Sequence, residues 1–105
     1  MRNYEMMVVI TPQTAEEELT GALDQVSGYI TGIGGEVNEI LKENPWGRRR
    51  LAYPIRHNGQ DLRDGFYALY HFKANAPRVI EIERNLKLND RVLRHMVVKQ
   101  GDEDE

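Results

Sequence analysis

The sequence predicts an α+β domain in which four strands and two helices follow the order βαββαβ. Three observations carry this reading. Short alternating apolar runs occupy residues 4–10, 65–73 and 92–99, the pattern of half-buried strands. Apolar residues recur at helical spacing at Leu19, Ala22, Leu23, Val26, Ile30 and Ile33, and again at Val79, Ile82 and Leu86. Between the two helices lies a long β-prone stretch, residues 36–55. This order is the split βαβ, or ferredoxin-like, arrangement: a four-stranded antiparallel sheet with two helices on one face. Right-handed crossovers put the first and third strands in the centre and leave the second and fourth as edges.

In the first strand Tyr4, Met6, Val8 and Ile10 form one face, and Glu5, Met7, Val9 and Thr11 form a mixed one. Thr11-Pro12-Gln13 ends it. Thr14 and Glu17 have the spacing of a capping box, and Glu16, Glu17 and Glu18 suit the positive end of the helix dipole. Gly21, Gly28 and Gly32 weaken this helix by up to about 1 kcal/mol each relative to alanine, so tertiary packing must stabilise it. Gly34-Gly35 is its stop signal.

Residues 36–55 are too long for one strand. Asn44-Pro45 must interrupt them, and the apolar phase slips between Val37 and Ile40, so a bend or bulge on an edge strand is expected. Residues 57–61, His-Asn-Gly-Gln-Asp, read as a turn. Asn75 is a candidate N-cap with Pro77 in the first turn of the second helix, and Asn89-Asp90 is the turn into the last strand.

The chain has 105 residues, enough for one domain with a core that needs no disulfides. We expect that domain over residues 1–99, followed by an acidic, disordered tail over 100–105 that has no apolar side chain to bury. There is no cysteine, which removes disulfide frameworks, thiolate zinc sites and a cysteine nucleophile. No secretory signal and no apolar run of membrane-spanning length is visible, so a soluble cytoplasmic protein is expected.

The formal net charge of −3 hides a split: residues 1–46 carry −6, residues 47–101 carry +7, and the last four residues carry −4. The positive segment opens on Trp46-Gly47-Arg48-Arg49-Arg50-Leu51-Ala52-Tyr53-Pro54-Ile55. Three consecutive arginines cannot be buried. Leu51, Tyr53 and Ile55 alternate as on the packed face of a strand. One segment is thus anchored in the sheet and presents concentrated positive charge. Extended backbone puts Arg48 and Arg50 on one face, and Arg49 on the other with Leu51 and Tyr53. Arg2, Arg91 and Arg94 are further candidates for such a cluster, and guanidinium groups suit bidentate phosphate contacts.

Catalytic constellations are weak. Ser27 is the only serine and falls mid-helix, while His57, His71 and His95 are scattered over a loop and two strands that are not neighbours. No metal set, cofactor motif or small-molecule substrate site is evident. Residues 65–72, Gly-Phe-Tyr-Ala-Leu-Tyr-His-Phe, invite comparison with the aromatic strand of an RNA-recognition motif. Asp64 stands where a basic residue is wanted and Tyr67 where a small one is, so packing across the sheet is the preferred reading of these rings.

The chain resembles the bacterial small-subunit ribosomal protein six family. The residues that carry the resemblance are Arg2-Asn3-Tyr4-Glu5, the segment from Trp46 to Ile55, and the run Leu88-Asn-Asp-Arg-Val-Leu-Arg-His-Met-Val-Val-Lys99. The resemblance covers residues 1–99 and implies a non-catalytic role with no cofactor. It implies binding to 16S ribosomal RNA in the platform of the small subunit, together with small-subunit ribosomal protein eighteen. Carried over, Arg2, Arg48, Arg49, Arg50, Arg91 and Arg94 are the candidates for RNA, and Trp46, Leu51 and Tyr53 for the protein partner. Two other classes stay open at this stage. One is a regulatory βαββαβ dimer joined through its edge strand. The other is a small acylphosphatase-like enzyme, which would need an arginine in the loop after the first strand, where Thr11-Pro12-Gln13 has none.

Overall fold

The computed structural model describes residues 1–43 and 46–100. Along the chain run β1 (Arg2–Ile10), α1 (Glu16–Thr31), β2 (Glu36–Leu41), β3 (Gly47–His57), β4 (Gln60–Ala74), a 3-10 turn (Ala76–Arg78), α2 (Val79–Leu88) and β5 (Val92–Lys99). Every strand pairing is antiparallel. The order is β2-β4-β1-β5, with β3 also paired to β4, so β1 and β4 are the central strands as expected.

The expected second strand is two strands, β2 and β3, laid end to end along one edge of β4. The sheet has five strands but remains four wide. β2 takes the far half of β4, from Glu36↔Lys73 to Leu41↔Leu69, and β3 takes the near half, from Gly47↔Tyr67 to His57↔Gln60. The phase slip in the sequence is a register shift between Val37 and Glu39. Asn44-Pro45, where a break was expected, lies outside the described residues, as does the acidic tail beyond Gln100.

β4 starts five residues earlier than the apolar pattern suggested. The turn is only Asn58-Gly59, with φ of 52° and 80°, so Gln60 and Asp61 already belong to the strand. Two consecutive positive φ values match the primed turns whose twist suits a hairpin, and asparagine-glycine is the pair that tolerates them. At Gly65 the chains approach too closely for a side chain: a Cβ would lie 2.6 Å from Val9 Cγ1 and 3.3 Å from the Ile10 carbonyl oxygen.

Both helices cover one face of the sheet. Met6, Val8 and Ile10 of β1 and Ala68, Tyr70 and Phe72 of β4 pack there against Ala22, Leu23, Val26 and Ile30 of α1 and Ile82 and Leu86 of α2. Tyr4 stacks on Phe72 with ring centroids 5.4 Å apart. The Tyr70 hydroxyl, fully enclosed, donates to the Leu23 carbonyl at 2.8 Å. Burial pushes its pKa up to about 12, with the Asp24 carboxylate adding to the rise and a Ser27 hydrogen bond opposing it.

The capping box does not form. α1 begins at Glu16 behind Ala15, no side chain caps it, and the Thr14 hydroxyl is buried without a hydrogen bond. Asn75 likewise makes no side-chain cap; a 3-10 turn with proline at its start leads into α2 instead. Among the described residues no helix is long and apolar enough to cross a membrane.

Candidate nucleic-acid and partner surfaces

The arginine triplet lies on the edge strand β3, opposite the start of β4: Arg48↔Phe66, Arg49↔Gly65 and Arg50↔Asp64. Paired residues in an antiparallel ladder share a face. Arg48 and Arg50 therefore lie on the helix-bearing side. The Arg48 guanidinium sits 5.4 Å from the Phe66 ring centre and 3.1 Å from the Asp64 carboxylate. Among the described residues Arg50 has no ion-pair partner. Arg49 points to the open face and rests 5.2 Å from the Tyr67 ring centre. The alternation expected from extended backbone holds across the triplet.

Beyond Arg50 the register shifts before Ile55↔Leu62 resumes. Pro54, which cannot donate to a ladder, falls inside this irregular stretch. The shift breaks the simple alternation read from the sequence. Ile55 is buried and Leu51 half-buried against a second, smaller cluster on the open face, formed with Val9, Leu62, Leu93, Met7 and Tyr67. Tyr53, expected on the packed face with them, is 67% exposed. Trp46 is half-buried immediately before β3, its amide donating to the Glu43 carbonyl at 2.9 Å.

The open face carries a groove of about 270 Å³. Its floor is Met7, Val9, Leu51, Ile55 and Tyr67; Tyr53, Met96 and Arg94 border it. Arg94 lies opposite Val9, which in turn lies opposite Tyr67 beneath Arg49. The structure thus brings Arg94 to the apolar groove and sets Arg49 on Tyr67, one of the rings that line it. One row of the same face is acidic, because Glu5 and Glu39 both lie opposite His71, with Glu5 3.6 Å from its imidazole.

Two of the expected arginines sit elsewhere. Arg2 lies opposite Ala74, eight positions along β4 from Phe66, so roughly 26 Å of strand separates it from the triplet. It lines a separate recess with Arg78. Arg91, in the turn before β5, is tied to Glu18 of α1 at 3.3 Å. The comparison with an RNA-recognition motif also resolves. Phe66, Tyr70 and Phe72 are buried beneath the helices, and of that run's phenyl and phenol rings only Tyr67 reaches the open face.

The groove was not read from the sequence, although a signal for it exists. Met7 and Val9 make β1 apolar on both faces, as do Met96 and Val98 for β5, yet helices cover only one face. Met96 is 55% exposed.

The sequence profile described as ribosomal protein S6 matches residues 3–99. The chain belongs to this family. A Desulforamulus reducens protein named small ribosomal subunit protein bS6 is 37% identical over 102 residues, covering 97% of this chain and all of that protein. The crystal structure of 30S ribosomal protein S6 from Thermotoga maritima superposes with a TM-score of 0.82 over 94% of this chain and 87% of that one. At 23% identity that likeness speaks to the fold alone. Family membership gives this chain a structural role in the small ribosomal subunit, and so a place on the cytoplasmic ribosome.

Proposed function

We propose that this protein is a non-catalytic scaffold that binds 16S rRNA in the platform of the small subunit together with ribosomal protein eighteen. The observation that carries the proposal is the edge hairpin of β3 and β4. It offers Arg48 and Arg50 on one side of the sheet and Arg49 on the other, beside an apolar groove. Cations on an exposed edge meet phosphates without reading sequence. An apolar groove bordered by a protruding tyrosine fits a protein partner, since buried aromatic anchors dominate such contacts. A basic partner seated there would also meet the acidic row of Glu5 and Glu39.

The protein alone is expected to bind RNA weakly. Several of its exposed arginines are already neutralised internally: Arg48 by Asp64, Arg56 by Asp61 and Arg91 by Glu18. Pairing with a basic partner joins two positive surfaces. Titration into a platform fragment of 16S rRNA, with and without ribosomal protein eighteen, tests this. A sharp gain in affinity with the partner is expected; equal affinity in both titrations would contradict the cooperative reading.

A further inference from the structure

Among the described residues, two buried side-chain polar atoms lack a hydrogen-bond partner, Thr14 Oγ1 and His57 Nε2. Both residues line one polar cavity of about 190 Å³. It lies where the β1–α1 loop, the tip of the β3–β4 hairpin and the turn before β5 meet. Thr14 is 6% exposed, and its hydroxyl is not engaged in capping α1. The loop that holds it is fixed by its own bonds. The Thr14 amide donates to the Thr11 carbonyl at 3.1 Å, and the Gln13 side-chain amide donates to Gln60 Oε1 at 2.8 Å. Buried polar atoms are nearly always paired, and two unpaired ones on residues that line one cavity mark a place built for a hydrogen-bonding group.

The walls define that group. Arg91 is engaged with Glu18, and Asp90 adds a second carboxylate, so the cavity has no excess positive charge to hold a phosphate. Apart from the imidazole of His57 no aromatic ring lines it, so a base has little to stack on. A threonine hydroxyl both donates and accepts, and an imidazole nitrogen does one or the other according to its tautomer. Their common complement is an uncharged hydroxyl. We infer that this cavity is a subsite for a ribose hydroxyl of an RNA strand held along the β3–β4 hairpin. The inference rests on the RNA-binding reading above. β3 links the two places directly, carrying the arginine triplet near its start and His57 at its end. The 2′-hydroxyl, donor and acceptor at once, is the group by which a protein tells RNA from DNA.

The test uses the full chain with its protein partner and a platform fragment of 16S rRNA, made unmodified and with 2′-deoxyribose at successive single positions. Thr14→Val is expected to weaken binding to the unmodified fragment about three- to tenfold, the worth of one hydrogen bond. Thr14→Ser, which keeps the hydroxyl, should bind as the unaltered protein does. At one position the 2′-deoxy change should weaken the unaltered protein by a similar factor and leave Thr14→Val unaffected, a coupling expected only of groups that touch. The same cycle with His57→Leu gives an independent reading if valine is not tolerated at position 14. The proposal fails if both variants bind like the unaltered protein, or if their losses are additive with the deoxy change at every position. If the unaltered protein with its partner does not bind the fragment at all, the RNA reading itself falls and this subsite with it.

Discussion

Replacing Tyr53 with alanine separates the groove's role in binding from its role in folding. Tyr53 is 67% exposed, so only about a third of the residue is shielded by the fold. A fully buried aromatic side chain removes roughly 150–250 Å² from water, worth about 25 cal/mol per Å². A third of that area, reduced further because unfolded chains are already partly compact, leaves at most about 2 kcal/mol to lose. The partner's contact with an exposed ring has no such ceiling. Central aromatic anchors cost about 2 kcal/mol or more when truncated, roughly thirtyfold in affinity. Chemical denaturation of the free protein and calorimetric titration with ribosomal protein eighteen measure the two quantities on one variant. Leu51→Ala is the companion variant. Leu51 is half-buried against Val9, Ile55 and Leu62 in an open cluster, so about 1–2 kcal/mol of stability should go. If Tyr53→Ala leaves partner affinity unchanged, the groove is not the docking surface.

Two further outcomes follow from the packing of the sheet. Gly65→Ala would set a methyl group 2.6 Å from Val9 Cγ1 and 3.3 Å from the Ile10 carbonyl oxygen; overpacking of about 1–3 kcal/mol should outweigh the smaller gain from a stiffer unfolded chain, and denaturation should show a net loss. Tyr70→Phe should cost about 1 kcal/mol near neutral pH for the missing bond to Leu23. Because burial raises the folded-state pKa of Tyr70 from 10.0 to about 12, the native state keeps a proton that the unfolded chain releases. Stability therefore falls as pH rises from about 10 to 12. The phenylalanine variant should show a shallower alkaline loss in pH-dependent denaturation, and an unchanged slope would refute the buried-phenol account.

The sheet order, the central strands and the helix-covered core were legible because alternation and helical spacing respond to one strong force, burial against the helices. Val37 to Ile40 announced its bulge as a break in phase. Other features depend on local geometry that periodicity does not carry. β4 begins at Gln60 because Asn58 and Gly59 alone make the turn, and polar Gln60, Asp61 and Arg63 hide a strand that continues into the hairpin. Tyr53 looked packed because the register shift after Arg50 leaves no trace in the alternation. Thr14 matched a capping pattern, yet the chain enters α1 one residue later and leaves the hydroxyl buried beside a cavity without a partner. The arginine triplet was legible as a charged edge. That Arg48 is held by Asp64 while Arg49 lies on Tyr67 depends on register, and the remoteness of Arg2 depends on the full length of β1.

The salt dependence of RNA binding by the partner-bound protein, compared with that of the Arg48→Ala, Arg50→Ala double variant, tests the central claim most directly. These two side chains share the helix-bearing side of the hairpin edge, and the ion pair that Arg48 makes with Asp64 is an exposed one. Folding stability should change by no more than about 1 kcal/mol, the scale of a surface ion pair. Affinity for the platform fragment should fall at every RNA sequence tried, and the slope of log affinity against log salt should drop by roughly one unit for each phosphate that is no longer neutralised. A double variant that keeps both the affinity and the slope of the unaltered protein would show that the triplet is only a solvated face, and would contradict the account.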